Sequence, residues 1–216
     1  MLADKYLKEV KNEVRELFNN LVKANEIILD GLKSCNVSEF DKAKEYVKSA
    51  SLQTDEIDNL IIKILALYSP EARDLRRLVA YLKITTELAR ASTNTNSFIK
   101  GFLNVCELID RELIDKYLVT LDEATLKCLK VTSEMLDIED EEELKNKFNE
   151  VVVEEHKTDD LYDAIEEEIL KNSELDYATL NKVLKTIRKM EKIADRMIEV
   201  ANLLMFYKLG GQIHNV

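Results

Sequence analysis

The scarcity of residues that break helices is the feature that most constrains this chain. Its 216 residues include only 4 glycines and 1 proline, and a sheet with many tight turns normally needs more of both. Apolar residues recur instead at three- and four-residue steps, the spacing of one face of a helix. The first segment shows this spacing at Leu7, Val10, Val14, Leu17 and Leu21. The sequence therefore predicts an all-α protein.

Interruptions of this pattern divide the chain into six long helices. Ser69 and Pro70 have the order of an N-cap followed by proline at the first helical position, and Gly101 is expected to break the third helix near its end. Capping-box spacing predicts further helix starts at 38–41, 140–143 and 173–176. The predicted helices span residues 3–33, 38–68, 70–100, 106–136, 140–172 and 174–209.

The two halves of the chain resemble one another. Segment 82–102 aligns without gaps to segment 184–204, and duplication of a three-helix unit explains this similarity. Chance similarity between two amphipathic helices is the alternative. Because short connections make sequential helices antiparallel, we expect two three-helix bundles in tandem, at residues 1–103 and 104–216.

Charge and cysteine content restrict the classes of partner. The net charge of −11 repels the phosphates of nucleic acids, so we expect no nucleic-acid binding. Cys35, Cys106 and Cys128 form no CxxC pair and are odd in number, which is typical of reduced thiols in a cytoplasmic protein. No stretch approaches the roughly 18 apolar residues of a membrane span. We therefore expect contact with a membrane only through a partner protein.

Four acidic residues on the last two predicted helices form a candidate metal site. Glu155 and Asp159 are four residues apart on one helix, and Glu191 and Asp195 are four apart on the next, so each pair shares a helix face. Antiparallel packing would bring the two pairs to the same level. Carboxylates from two helices suit Mg²⁺, Mn²⁺ or iron. With 42 acids in the chain, the alternative is a solvated face balanced by nearby lysine and arginine.

The sequence has no recognisable catalytic set. Neither of its two histidines, His156 and His214, follows a glutamate by three positions, as the ligands of oxidative di-iron enzymes do. It also lacks a glycine-rich phosphate loop and usable Ser/His/Asp or Cys/His arrangements. We therefore predict that the chain is not an enzyme and that it acts by binding.

Two segments carry a more specific signal, PEARDLRRLVAYLKITTEL (70–88) and MEKIADRMIEVA (190–201). Together they resemble the motifs of the PhoU family of phosphate-transport regulators. The first motif is matched at Pro70, Ala72, Asp74, Leu75, Arg76, Leu82, Lys83 and Ile84. The second is matched at Glu191, Ile193, Ala194, Asp195 and Ala201. The resemblance covers nearly the whole chain and implies two three-helix bundles.

The family resemblance also implies metal ions bound by paired E/D-x-x-x-D motifs. In the second half these motifs fall on Glu155, Asp159, Glu191 and Asp195, the residues found above. In the first half the corresponding positions are Ala89 and Thr93, paired with Val47 and Ser51 or, in another register, with Ser51 and Asp55. We therefore expect that one metal site is lost and the other is retained.

The resemblance implies a cytoplasmic regulator that contacts the ATPase subunit of a phosphate ABC transporter and a membrane sensor histidine kinase. Such a protein would repress the phosphate-starvation response when phosphate is plentiful. The long amphipathic helices also make a homodimer or another homo-oligomer plausible. The alternatives are an accessory protein of another phosphate carrier and a metal-binding helical-bundle protein. The region of Asp74 and Arg76 is either part of a partner surface or an ordinary first helical turn.

Overall fold

The computed structural model of this chain describes residues 2–34, 36, 38–172 and 175–210. These residues form helices joined by short connections, and no strand occurs among them. The prediction of an all-α protein is therefore confirmed.

The described residues of the first half form four helices. They are α1 (Leu2–Ser34), α2 (Glu39–Val47), α3 (Ala50–Tyr68) and α4 (Ala72–Val105). A turn at residues 48 and 49 separates α2 from α3, so the second predicted helix is present but interrupted.

The described part of the second half begins with short helical pieces and continues with three longer helices. A 3₁₀ turn (Cys106–Leu108), α5 (Arg111–Leu113) and a π-helical turn (Ile114–Leu118) lead directly into α6 (Val119–Glu134). The chain ends with α7 (Glu141–Asn172) and α8 (Tyr177–Leu209). The six predicted helical segments are thus observed, within a few residues at most ends.

Two of the predicted helix boundaries are wrong. Ser69 has a φ of 43° and ends α3 in the left-handed conformation, whereas an N-cap needs an extended backbone. Glu71 is the N-cap of α4, and the helix begins at Ala72. Gly101 does not break α4, which continues to Val105.

The capping predictions have mixed outcomes. The Asp140 carboxylate accepts a hydrogen bond from the backbone N–H of Glu143 at 2.8 Å, as a capping box requires. The Ser38 hydroxyl instead donates to a neighbouring asparagine side chain at 2.6 Å, and it makes no cap bond to α2. Asp176 caps α8 through the N–H groups of residues 178 and 179. Residue 173 lies outside the described part of the chain.

Helices α1, α4, α6 and α8 share a continuous apolar core. Helices α2 and α3 cover α1 and α4 on one side, and α7 covers α6 and α8 on the other. Aromatic side chains fill much of the first half, where the rings of Phe40 and Phe102 have centroids 5.3 Å apart. Burial of such large side chains is the main favourable contribution to the stability of the fold.

Helices α4 and α8 run antiparallel and make the most extensive helix contact of the fold. Arg196 of α8 pairs with Glu87 of α4 at 3.1 Å. Further along, a Cβ atom at Gly101 would lie only 2.5 Å from the Thr186 hydroxyl oxygen, so glycine permits the close approach of the two helices. The similar segments 82–102 and 184–204 therefore lie against each other, while a domain boundary at 103/104 stays a prediction.

No helix in the described ranges combines the length and the apolar character that a membrane span requires.

Candidate metal site

The candidate site lies where the outer helix α7 packs against α8. The two helices run in opposite directions, and the Arg188 guanidinium of α8 lies 5.2 Å from the centre of the Tyr162 ring of α7. Beyond this contact, carboxylate oxygens of Glu155, Asp159 and Asp195 all lie within 4.8 Å of one another. The structure thus brings together three of the four predicted ligands.

The spacing of these oxygens fits a single hard cation. Two oxygens that bind one Mg²⁺ or Ca²⁺ ion at about 2.0–2.6 Å can be at most about 4–5 Å apart. The donors are carboxylates, which favour Mg²⁺, Mn²⁺ or Ca²⁺ over metals that prefer thiolates. Among the described residues, no other set of three or more His, Cys, Asp or Glu side chains comes this close together.

Glu191 is placed differently from the other three predicted ligands. Its side chain is buried, with 8% relative exposure, and it is not part of the close set. One carboxylate oxygen, Oε2, is buried without a hydrogen bond. Its nearest cations are Lys192 Nζ at 3.8 Å and Arg188 Nε at 4.0 Å. Glu191 is therefore a buried carboxylate one helical turn from Asp195.

Burial and mutual repulsion make the ionised state of this cluster costly. Burial is the main reason that the pKa of Glu155, of Asp159 and of Glu191 is raised. The neighbouring charge of Asp159 raises the pKa of Glu155 further, and Asp195 does the same for Asp159 and Glu191. A bound cation would stabilise the ionised form of all of them.

Basic side chains balance part of this negative charge. Lys192 Nζ lies 3.4 Å from an Asp195 oxygen, and Arg196 Nη2 lies 3.7 Å from the same atom. His156 is largely exposed, as expected for a surface residue, and its Nε2 is 3.7 Å from Glu155. These contacts are also what the solvated-face interpretation predicts.

The first half has no matching cluster among its described residues. On α4 the Thr93 hydroxyl donates to the Ala89 carbonyl oxygen at 2.9 Å, so its hydrogen bond stays within the helix. The opposing candidates Val47, Ser51 and Asp55 lie on either side of the turn between α2 and α3. The expected loss of one metal site stays a prediction.

A further acidic residue, Asp122 of α6, was not singled out by the sequence patterns. It is completely buried, and neither carboxylate oxygen has a hydrogen-bond partner among the described residues. Burial raises its pKa well above the usual range, the neighbouring Glu123 raises it further, and Lys33 opposes the shift. The available signal was its spacing, because Leu118 and Thr125, four residues before it and three after it, are both buried.

Comparison with known proteins identifies relatives of similar length. No family model matches the chain. The phosphate-specific transport system accessory protein PhoU of Edwardsiella tarda is 23% identical over 202 residues, which cover 88% of this chain and 78% of that protein. That protein is named for its role in phosphate transport.

Solved structures of PhoU and PhoU-like proteins have a similar fold. The phosphate transport system regulatory protein PhoU of Streptococcus pneumoniae matches with a TM-score of 0.82 at 16% identity, covering 99% of this chain and 100% of that one. PhoU of Pseudomonas aeruginosa matches with a TM-score of 0.73 at 17% identity, covering 97% and 96%. A PhoU-like protein of Shewanella oneidensis matches with a TM-score of 0.67 at 17% identity, covering 92% and 96%.

These matches confirm the resemblance to the PhoU family and the PhoU-like helical fold. The relatives are named as accessory or regulatory proteins of phosphate transport. Neither name describes an enzyme, and the prediction that this chain is not an enzyme rests on that likeness.

Proposed function

We propose that this chain is a cytoplasmic phosphate-transport regulatory protein resembling PhoU. It modulates a phosphate ABC transporter and phosphate-starvation signalling through contacts with the transporter ATPase subunit and a sensor histidine kinase, and it acts as a homodimer or another homo-oligomer. The observation that carries this proposal is the full-length match in fold to a phosphate transport regulatory protein, with a TM-score of 0.82 over 99% of the chain.

We further propose that Glu155, Asp159 and Asp195 hold a divalent cation or iron, with Glu191 as a fourth carboxylate behind them. The ion would neutralise carboxylates contributed by α7 and α8 and so fix the contact between these helices. The convergence of the three carboxylates supports this proposal. A metal-binding bundle protein without a role in transport would show the same site, and it is one alternative function. An accessory protein of another phosphate carrier is the second.

Replacing Asp159 and Asp195 together by asparagine should have opposite effects with and without metal. In EDTA the double variant should be more stable than the wild type, because the substitution removes repulsion between neighbouring carboxylates. With excess Mn²⁺ or Mg²⁺ the wild type should gain stability, about 2.7 kcal/mol at a metal concentration 100 times the Kd. The double variant should gain no stability from the added metal. Thermal unfolding in EDTA and in metal is the measurement.

Two further variants make this experiment specific. Asp160→Asn, an exposed neighbour on the same helix, should keep the metal response of the wild type. Glu191→Gln should lower metal affinity if Glu191 is a ligand, and should only raise stability in EDTA if it is a buried neighbour. A wild type that gains no stability from Mg²⁺, Mn²⁺ or Fe²⁺ would favour the solvated acidic face.

The proposed partners should be recovered from cells in a salt-sensitive complex. The tagged chain, purified from phosphate-replete cells at about 0.01 M and 0.15 M ionic strength, should retain a transporter or kinase subunit better at the lower value. The reason is that the Debye length falls from about 30 Å to about 8 Å. Mass spectrometry identifies the subunits. Recovery of a different phosphate carrier would favour the accessory-protein alternative, and recovery of no transport or kinase component with folded bait would contradict the proposal.

A further inference from the structure

A group of basic side chains collects where α4 begins and α8 ends. Because α4 and α8 are antiparallel, the first turns of α4 lie beside the last turns of α8, and the rings of Tyr81 and Tyr207 have centroids 5.5 Å apart. The Arg76 guanidinium carbon lies 5.7 Å from the centre of the Phe206 ring, and that of Arg77 lies 5.9 Å from the Tyr207 ring.

Three more basic residues complete this group, which we call the cationic end face. Lys11 and Arg15 of α1 both contact the Asp137 carboxylate, Lys11 at 2.9 Å and Arg15 at 2.5 Å. Lys208 of α8 donates to the Ile138 carbonyl oxygen at 2.6 Å. The cationic end face thus comprises Lys11, Arg15, Arg76, Arg77 and Lys208.

The positive charge of this face is only partly balanced. Asp137 is shared by two cations, and the Glu139 carboxylate lies 3.5 Å from Lys208. Arg76 and Arg77 have no carboxylate within 4.0 Å among the described residues and rest on aromatic rings instead. Two guanidinium groups therefore keep most of their hydrogen-bond donors available for a ligand.

A buried hydroxyl group beside these cations also lacks a hydrogen bond of good geometry. Tyr81 is completely buried, and its hydroxyl has no hydrogen-bond partner of good geometry in the described structure, although the Tyr207 hydroxyl lies nearby. Lys208 is almost wholly covered, with 6% of its side chain exposed. Burial, with Lys11 and Arg77 nearby, lowers its pKa despite the opposing effect of Glu139. Such crowding of positive charge favours an approaching anion.

Exposed apolar side chains lie along the same helix ends. Leu75 and Val79 of α4 are 43% and 38% exposed, and Leu209 of α8 is 37% exposed. Arginine and aromatic residues next to exposed aliphatic ones are typical of the centres of protein interfaces. The rest of the chain is strongly acidic, since the whole carries a net charge of −11, so an acidic partner would be repelled elsewhere on the molecule.

We propose that the cationic end face binds an acidic segment of a partner protein. Carboxylates of that segment would bind Arg76 and Arg77, and its aliphatic side chains would pack on Leu75, Val79 and Leu209. The inference rests on the proposed function, because it supplies a contact surface through which a regulatory protein would act. The guanidinium group of arginine binds carboxylates well, because it can donate two parallel hydrogen bonds to the two carboxylate oxygens. The buried Tyr81 and Lys208 both pack on Tyr207, with ring centroids 5.5 Å apart for the two tyrosines and with Lys208 Nζ 5.3 Å from the Tyr207 ring.

The test uses two fluorescein-labelled amphipathic peptides that share the same leucine positions. One carries glutamate on its polar face, and the other carries glutamine at the same positions. The glutamate peptide should bind the wild-type chain and should bind the Arg76→Gln/Arg77→Gln variant at least tenfold more weakly, because two charge-assisted contacts are lost. The glutamine peptide should bind the wild type about as weakly as that variant binds the glutamate peptide. Fluorescence anisotropy at low salt gives the Kd.

The control variant carries the same change in net charge on the same two helices. Lys100→Gln/Lys185→Gln removes two exposed cations from the other ends of α4 and α8, and it should bind the glutamate peptide as the wild type does. Equal weakening in the control and arginine variants, or equal binding of the two peptides, would overturn the proposal. So would arginine-dependent binding of inorganic phosphate or phosphatidylglycerol vesicles without binding of the glutamate peptide.

This test is separate from that of the proposed function. The peptides contain no transport component, so failure to recover a transporter or kinase from cells would leave the peptide result standing. Conversely, undiminished recovery of those components by the Arg76→Gln/Arg77→Gln variant, without peptide binding, would reject the cationic end face alone.

Discussion

Replacing Asp122 by asparagine should stabilise the protein increasingly as the pH rises. The wild-type carboxyl is completely buried without a hydrogen-bond partner in the described structure, and burial raises its pKa well above the usual range. Folding therefore favours the protonated form, and the wild type loses stability as the pH rises from about 4, the ordinary aspartate pKa, through the folded pKa. Asparagine cannot ionise, so this loss is absent from the variant.

The expected size of the effect follows from proton linkage. The free energies of unfolding of wild type and Asp122→Asn should diverge by up to about 1.4 kcal/mol per pH unit between the unfolded and folded pKa values. Urea unfolding from pH 4 to pH 9 measures this divergence. The free energy of unfolding of Asp30→Asn, an exposed substitution on α1, should depend on pH as that of the wild type does. Parallel curves for Asp122→Asn and the wild type would show that Asp122 ionises as easily in the folded state as in the unfolded chain.

Replacing Gly101 by alanine should destabilise the protein, although alanine is the better helix former. At a solvent-exposed position of a helix, replacing glycine by alanine would stabilise the protein by about 1 kcal/mol. Here the added Cβ would lie 2.5 Å from Thr186 Oγ1 and 2.9 Å from its Cγ2. Overpacking of this kind costs about 1–3 kcal/mol and occasionally more, so we expect a net loss for Gly101→Ala and a larger loss for Gly101→Val.

A double variant tests whether the contact with Thr186 is the cause. Thr186→Ala removes the two closest atoms and leaves Cβ at 3.2 Å from the added carbon. Gly101→Ala/Thr186→Ala should therefore be about as stable as Thr186→Ala alone, with a coupling energy of about 1 kcal/mol or more. Lys100→Ala, at an exposed neighbouring position, is the control. If Gly101→Ala is as stable as the wild type, α4 and α8 do not approach as closely as the structure shows.

The helical character of this protein could be predicted from the sequence because its causes are local. Few glycines and prolines, together with apolar residues at helical spacing, make any other secondary structure unfavourable. The pairing of Glu155 with Asp159 is equally local, since residues four apart share a helix face whatever surrounds them. Where local signals conflicted, as at Ser69 and Gly101, the prediction was wrong, because the backbone conformation at Ser69 and the packing of Gly101 depend on the connections and neighbours of α4.

The composition of the candidate metal site depended on how α7 and α8 rotate against each other. The sequence placed Glu191 and Asp195 on one face of a helix, but a face is about 100° wide and its two edges can have different neighbours. Packing against α7 brings Asp195 to Glu155 and Asp159, while it buries Glu191 beside the core. No pattern within α8 alone distinguishes these outcomes.

The helices, their approximate ends and the acidic pairs could be predicted from the sequence, because each follows from interactions within a few residues. Which side chains from distant segments meet depends on how the helices pack. The close approach of α4 and α8 at Gly101, and the gathering of Arg76, Arg77 and Lys208, both require helices about 100 residues apart in sequence to pack antiparallel. Asp122 is likewise buried by neighbouring helices rather than by its own. Burial and unbalanced charge are properties of the packed molecule, so the local pattern of residues does not reveal them.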